Sequence, residues 1–150
     1  MKPNYLTILI TTLCIFFNAC HNSNTAPQLQ LADSLIDKRA DSALCILEKL
    51  SIEEISNKSA KAMYALLLTE ALDKNFKSHR NDSLILIAVD YYKDNSNNKL
   101  KTKAYYYLGR VYQDNKEYIK ATEAYLTALK TASPNQAPIL QIYNNLALCY

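Results

Sequence analysis

With 150 residues, one glycine and four prolines, the chain has the length of one domain. It lacks the glycine-bearing turns that a β-rich fold needs every ~8–12 residues. Its formal net charge of +3 comes from 17 Lys and Arg set against 14 Asp and Glu, interspersed along the chain; this is a solvated surface, not the clustered basic face of a nucleic-acid-binding protein. Cys14, Cys20, Cys45 and Cys149 show no CxxC spacing, and the only histidines are His21 and His79. Neither a zinc site nor a histidine-based triad is expected. The expected class is all-α, with no catalytic residue, cofactor or metal.

The first segment reads as an address. Lys2 lies in a short leader, Leu6–Phe17 is apolar except for Thr7, Thr11 and Thr12, and Phe17-Asn18-Ala19-Cys20 closes the run. Charge, apolar run and small residue in that order form the pattern of a secretory signal peptide. As a helix the run spans roughly 18 Å, short of the ~30 Å hydrocarbon core. Ala19-Cys20 resembles a bacterial lipobox, with Phe17 and Asn18 standing where leucine and a small residue are commoner. The resemblance implies cleavage after residue 19 and acylation of Cys20, with palmitate-type chains anchoring the product in the membrane. Residues 20–27, from Cys20 to Pro27, have no apolar periodicity and read as a tether. Export would place Cys45 and Cys149 in an oxidising compartment. Cys45, inside Ala43-Leu44-Cys45-Ile46-Leu47, is expected to be a small buried hydrophobe. A bridge to Cys149 is disfavoured by their separation along the chain.

Helical patterns then follow in pairs. Leu29–Lys38 and Ala40–Leu50 are amphipathic, with Asp41-Ser42 as the expected cap of the second. Tyr64, Leu67, Leu68 and Ala71 mark a third helix, and Leu84, Ala88 and Tyr91 a fourth, capped by Asp82 or Ser83. Asp94-Asn95-Ser96-Asn97-Asn98 is the next turn. Thr102–Pro134 is the clearest unit: Tyr105, Leu108 and Tyr112 form one stripe, Ala121, Tyr125 and Ala128 another, and Asp114-Asn115-Lys116 the turn between them. Gly109 falls mid-helix, where it costs ~1 kcal/mol against alanine. A close helix crossing, with Ala121 against the bare backbone, is the expected compensation. Tyr143, Leu146, Ala147 and Tyr150 repeat the first stripe.

The spacing from Tyr105 through Leu108-Gly109 and Tyr112 to Ala121, Tyr125, Ala128 and Pro134 resembles a tetratricopeptide repeat. The layout from leader to repeats is similar to that of lipid-anchored tetratricopeptide proteins of Gram-negative bacteria. The resemblance implies a right-handed superhelix of stacked antiparallel helix pairs over residues 28–150, the first pair serving as N-terminal cap. It implies a non-enzymatic scaffold in the cell envelope, anchored in the outer membrane and facing the periplasm, that holds a protein or peptide in a groove lined by first helices. Carried over position by position, the groove residues are Lys103, Tyr106, Arg110, Gln113, Thr69, Asp73 and Asn144. The lysine–asparagine clamp for a C-terminal carboxylate is missing, because Ala65, Thr69 and Tyr106 occupy its places.

A glycan-capture lipoprotein on the same scaffold is the alternative, as is the sensor portion of a longer regulatory protein. Against glycan capture, the chain has no tryptophan and no long insertion. The carboxylates Asp33, Asp37, Glu53, Glu54, Asp73 and Asp90 lie on polar faces and read as solvated. Residues 139–150 are predominantly apolar, so the stack is expected to continue beyond Tyr150 or to self-associate through that face.

Overall fold

A computed structural model describes residues 25–79, 81–133 and 138–149. The leader, Cys20, Arg80, Pro134 and Tyr150 lie outside the described residues. Those described are helical and contain no strand. The helices are α1 (Ala26–Leu35), α2 (Ala40–Leu47), α3 (Lys58–Lys74), α4 (Ser83–Tyr92), α5 (Asn98–Asp114), α6 (Tyr118–Thr131) and α7 (Pro138–Leu148). None of them is long and apolar enough to cross a membrane.

The start of the fold differs from the expected tether boundary. Pro27 lies in the first turn of α1, where its missing N–H removes no helical hydrogen bond and its fixed φ suits the helix. Capping also differs. Asp41 and Ser42 lie inside the first turn of α2, after the N-cap Arg39. At α4 it is Asn81 whose Oδ1 accepts from the Ser83 backbone N–H at 3.1 Å, while the N-cap Asp82 makes no side-chain cap bond.

The two long helices, α3 and α5, are built alike. Each runs 17 residues and starts at an asparagine whose Oδ1 accepts from the third helical N–H. Asn57 takes Ala60 and Asn97 takes Leu100, both at 3.1 Å. Each such cap contributes about 1 kcal/mol. Each helix also ends in the same way, with an asparagine C-cap followed by a left-handed residue: Asn75 then Phe76 (φ 55°), and Asn115 then Lys116 (φ 62°). Lys77 N–H donates to Leu72 O and Phe76 N–H to Asp73 O; Glu117 N–H donates to Tyr112 O and Lys116 N–H to Gln113 O. These paired bonds define a Schellman end, whose left-handed position normally holds glycine. Here it holds phenylalanine and lysine, at about 1–2 kcal/mol of backbone cost each.

Consecutive helices pack together, and α1, α3, α5 and α7 also touch in succession, whereas α2, α4 and α6 do not touch one another. The odd-numbered row is therefore the tighter side of the stack. Within the clearest unit α5 and α6 are antiparallel: the hydroxyls of Thr102, near the start of one, and Thr131, at the end of the other, lie 3.0 Å apart.

Helix α3 shows why the layers hold. Leu66 and Leu67 are adjacent in sequence and both fully buried, yet they serve different cores. Leu67 joins Leu29, Ile36, Leu44 and Leu47 of the first pair; Leu66 joins Ile85, Ala88, Val89, Tyr107 and Val111 from α4 and α5. A helix flanked on both sides is apolar around much of its circumference, and each fully buried leucine contributes roughly 1.5–3 kcal/mol. The same two-sided packing moves the buried stripe of α4. Leu84 and Tyr91 are only partly buried, and Ile85, Ala88, Val89 and Tyr92 carry the core.

A third cluster gathers Ala121, Tyr125, Ala128 and Ile142, with Tyr105, Tyr106, Tyr112 and Leu146 against it. Gly109 belongs to this contact, but the nearest atoms it faces are those of Tyr125 and not of Ala121. A Cβ at Gly109 would meet Cε1 of Tyr125 at 2.4 Å, so the bare backbone makes room for an aromatic ring rather than for a second backbone. Ile142 anchors α7, whose Leu140, Tyr143 and Leu148 are exposed.

Candidate functional site

The candidate groove residues fall on the odd-numbered row, where charged side chains tie one helix to the next. At the centre is Glu70 of α3, 2 % exposed. Its Oε1 lies 3.2 Å from Lys74 Nζ, and its Oε2 lies 2.5 Å from Lys103 Nζ of α5; the second contact is one of charge, not an aligned hydrogen bond. Lys74 also reaches Asp37, just past the end of α1, at 2.5 Å. The chain Asp37–Lys74–Glu70–Lys103 thus crosses three first helices. The hydrogen bond from Lys74 holds the Asp37 pKa below its usual range. Burial works against the Lys74 charge, yet Asp37 and Glu70 outweigh it and raise the lysine's pKa. Burial, followed by the field of Glu70 and Asp73, pushes the Tyr107 hydroxyl well above its ordinary pKa.

A second network lies one turn further on. Arg110 Nε donates to Asp73 Oδ1 at 2.8 Å and Nη1 to Gln113 Oε1 at 3.2 Å; Nη2 stands 3.9 Å from Asp114. The same Gln113 oxygen accepts from the Tyr125 hydroxyl at 2.7 Å. Burial opposes the Arg110 charge, and Asp73 more than compensates, so the guanidinium is held firmly protonated. Tyr106 packs against the Tyr107 and Tyr125 rings, and its hydroxyl meets Asn145 Nδ2 of α7 at 3.5 Å. Burial and the nearby Asp73 raise its pKa.

Of the residues carried over from the repeat pattern, Arg110, Asp73 and Gln113 are bonded to one another, while Lys103 is paired with Glu70 and Tyr106 with Asn145. Asn144 is exposed. Thr69 is different: it is 1 % exposed and its hydroxyl donates to Ala65 O at 2.8 Å, so its side chain faces away from any groove. Glu70, Lys74 and Asn145 belong to the network without having been singled out by the repeat pattern. The signal for Glu70 and Lys74 was their one-turn spacing on the first-helix face.

His79, in the turn after α3, is 5 % exposed. Its Nδ1 lies 2.7 Å from Asp114 Oδ2 and its Nε2 3.2 Å from Thr69 O. A histidine–aspartate pair serves acid–base chemistry when the other ring nitrogen faces a nucleophile or substrate. Here that nitrogen faces a backbone carbonyl, and the pair fastens the turn to α5. Among the described residues no three His, Cys, Asp or Glu converge as a metal site. Cys45 and Cys149 are free thiols. Cys45 is exposed rather than buried, because α2 turns Ala43, Leu44 and Leu47 into the core instead.

Compared with protein-family models, with curated proteins and with solved structures, the chain matches none.

Proposed function

We propose that this chain is a non-enzymatic envelope lipoprotein, exported by residues 1–19 and anchored through Cys20. Its helix pairs form a tetratricopeptide-type superhelix that holds a peptide or partner protein. The observation that carries this reading is the asymmetry of the stack: α1, α3, α5 and α7 touch in succession while α2, α4 and α6 do not. Packing of that kind curves a repeat array toward its tighter row and makes an extended concave surface. The matched construction of α3 and α5, from asparagine cap to left-handed end, supports a repeat.

The concave row offers Lys103, Tyr106, Arg110, Gln113, Asp73 and Asn144, together with Lys74 and Asn145. Ion pairs fix Lys74, Lys103, Arg110 and Asp73 in place, so at these positions a ligand meets ordered side chains and little of their entropy is lost on binding. Arg110 retains a partly exposed guanidinium, suited to a carboxylate or a backbone carbonyl.

Photo-crosslinking tests the reading. A photoreactive residue at Asn144 or Lys103 in the full chain, in cells, should give a discrete protein adduct. One at Asp90, on the exposed side of α4, should not. Matching adduct patterns from both faces would remove the groove. Labelling with a palmitate analogue that persists in Cys20→Ala would remove the anchor.

A further inference from the structure

We propose that the edge of the stack formed by the turns after α1, α3 and α5 rests on a phospholipid surface, with Phe76, Tyr118 and Ile119 entering the headgroup region. The idea rests on the reading that Cys20 holds the chain at a membrane, and it adds which face the molecule turns to that membrane. The three turns share one edge. Lys74 at the end of α3 meets Asp37 in the first turn, while Asp73 meets Arg110 and His79 meets Asp114 near the end of α5. Lys120, just inside α6, stands over the Tyr112 ring at 5.3 Å.

The apolar side chains on this edge are without cover. Phe76 is 99 % exposed, Ile119 81 % and Tyr118 45 %. Phe76 also occupies a left-handed position that favours glycine (φ 55°), and its ring returns no packing for that strain. A local rule broken without a structural return points to a role outside the fold. The next equivalent position, Lys116 (φ 62°), breaks the same rule with a cation.

Charge selects the occupant. Most carboxylates of this edge are engaged: Asp37 with Lys74, Glu48 with Lys77, Asp114 with His79, and Glu117 with Lys120; Asp41, in the first turn of α2, is exposed and meets only the Ser42 hydroxyl. Asp82 lies near the Tyr112 hydroxyl, whose pKa is raised first by burial and then by the charge of Asp82. Lys38, Arg39 and Lys116 are exposed and have no such partner among the described residues. Free cations beside isolated aromatic and aliphatic side chains complement a layer of phosphate headgroups over acyl chains.

The chain contains no tryptophan, so single-tryptophan variants report one site each. The full chain would be reconstituted on vesicles of phosphatidylcholine and phosphatidylglycerol, with and without brominated acyl chains. Phe76→Trp and Ile119→Trp should shift to the blue and lose most of their emission to the bromines. Leu140→Trp, 68 % exposed near the start of α7 at the opposite edge, should not. Adding Lys38→Glu and Lys116→Glu to Phe76→Trp should weaken its quenching. If the chain sediments with the vesicles while Phe76→Trp stays unquenched, or is quenched no more than Leu140→Trp, this proposal falls alone. If the chain does not sediment with them, the anchoring reading falls with it. A blue shift of Phe76→Trp that grows with protein concentration in the absence of vesicles would also overturn the lipid contact, in favour of a second copy.

Discussion

Gly109 of α5 faces the ring of Tyr125 so closely that a Cβ would stand 2.4 Å from Cε1 and 2.5 Å from Cδ1. Tyr125 is fully buried, and its hydroxyl is held by Gln113, so the ring has nowhere to go. Gly109→Ala gains about 1 kcal/mol of helix propensity but overpacks this contact. The expected net result is destabilisation of about 1–3 kcal/mol, read from urea unfolding. Shrinking the ring should relieve it: in a double-mutant cycle, Gly109→Ala should cost far less in a Tyr125→Leu background. An alanine variant as stable as the parent would show that the ring shifts freely.

The helix ends at Phe76 and Lys116 predict the opposite sign. Both are left-handed, both are exposed, and glycine adopts that conformation without steric cost. Phe76→Gly and Lys116→Gly should each stabilise the fold by about 1 kcal/mol, visible as raised melting temperatures. Because the sites lie in separate turns, their effects should add. A loss of stability at Phe76→Gly would mean that the ring packs on something in the folded chain.

Much of this architecture was legible in the residues. The Ala121–Tyr125–Ala128 stripe is buried on α6, and the Asp114–Lys116 turn falls where its residue types place it; on α5 Leu108 is buried as expected, while Tyr105 and Tyr112 are only partly so and Ala104, Tyr107 and Val111 complete the core. The register of α4 was not legible. Stripe reasoning assumes one buried face, and a helix wedged between α3 and α5 buries a wider one, so Ile85 and Tyr92 carry what Leu84 and Tyr91 were expected to carry. Gly109 announced a close approach, but a lone glycine does not say whether backbone or ring approaches it. Within the site, the repeat resemblance implied that Arg110 and Asp73 share one face. It did not show that they bind each other, since pairing across helices depends on the stacking offset. The partner of His79 was not legible either, because nothing local distinguishes a solvated histidine from one that meets Asp114 on another helix.

Glu70 gives an asymmetric prediction. Its carboxylate is buried, while Lys74 and Lys103 keep 29 % and 23 % of their side chains exposed. Replacing both lysines by methionine leaves a buried anion without compensation and should cost about 3–5 kcal/mol. Glu70→Gln removes the charge, keeps a polar group beside Tyr107, and frees the ammonium groups to turn toward water. It should cost clearly less than the double lysine variant in denaturant unfolding. The reverse order would place the fold's dependence on the anion itself.

The Asp37–Lys74 pair predicts a pH profile. The Asp37 pKa is lowered from 3.8, first by its hydrogen bond with Lys74. Its contribution to stability is therefore present above the unfolded value and disappears as pH falls through the folded one. The Lys74 pKa is raised above 10.5, burial being outweighed by Asp37 and Glu70. That contribution is present below the unfolded value and is lost as pH rises through the folded one. The pair should support the first-to-third helix contact on a plateau from about pH 4 to about pH 10. The Asp37 carboxylate is largely exposed, which limits its share to about 0.2–1 kcal/mol. Asp37→Asn measures that share: its stability difference from the parent should be largest across the plateau, shrink below pH 3.8 where the parent carboxyl protonates, and fall at high salt. A difference independent of pH and salt would assign the residue a packing or hydrogen-bonding role in which charge has no part.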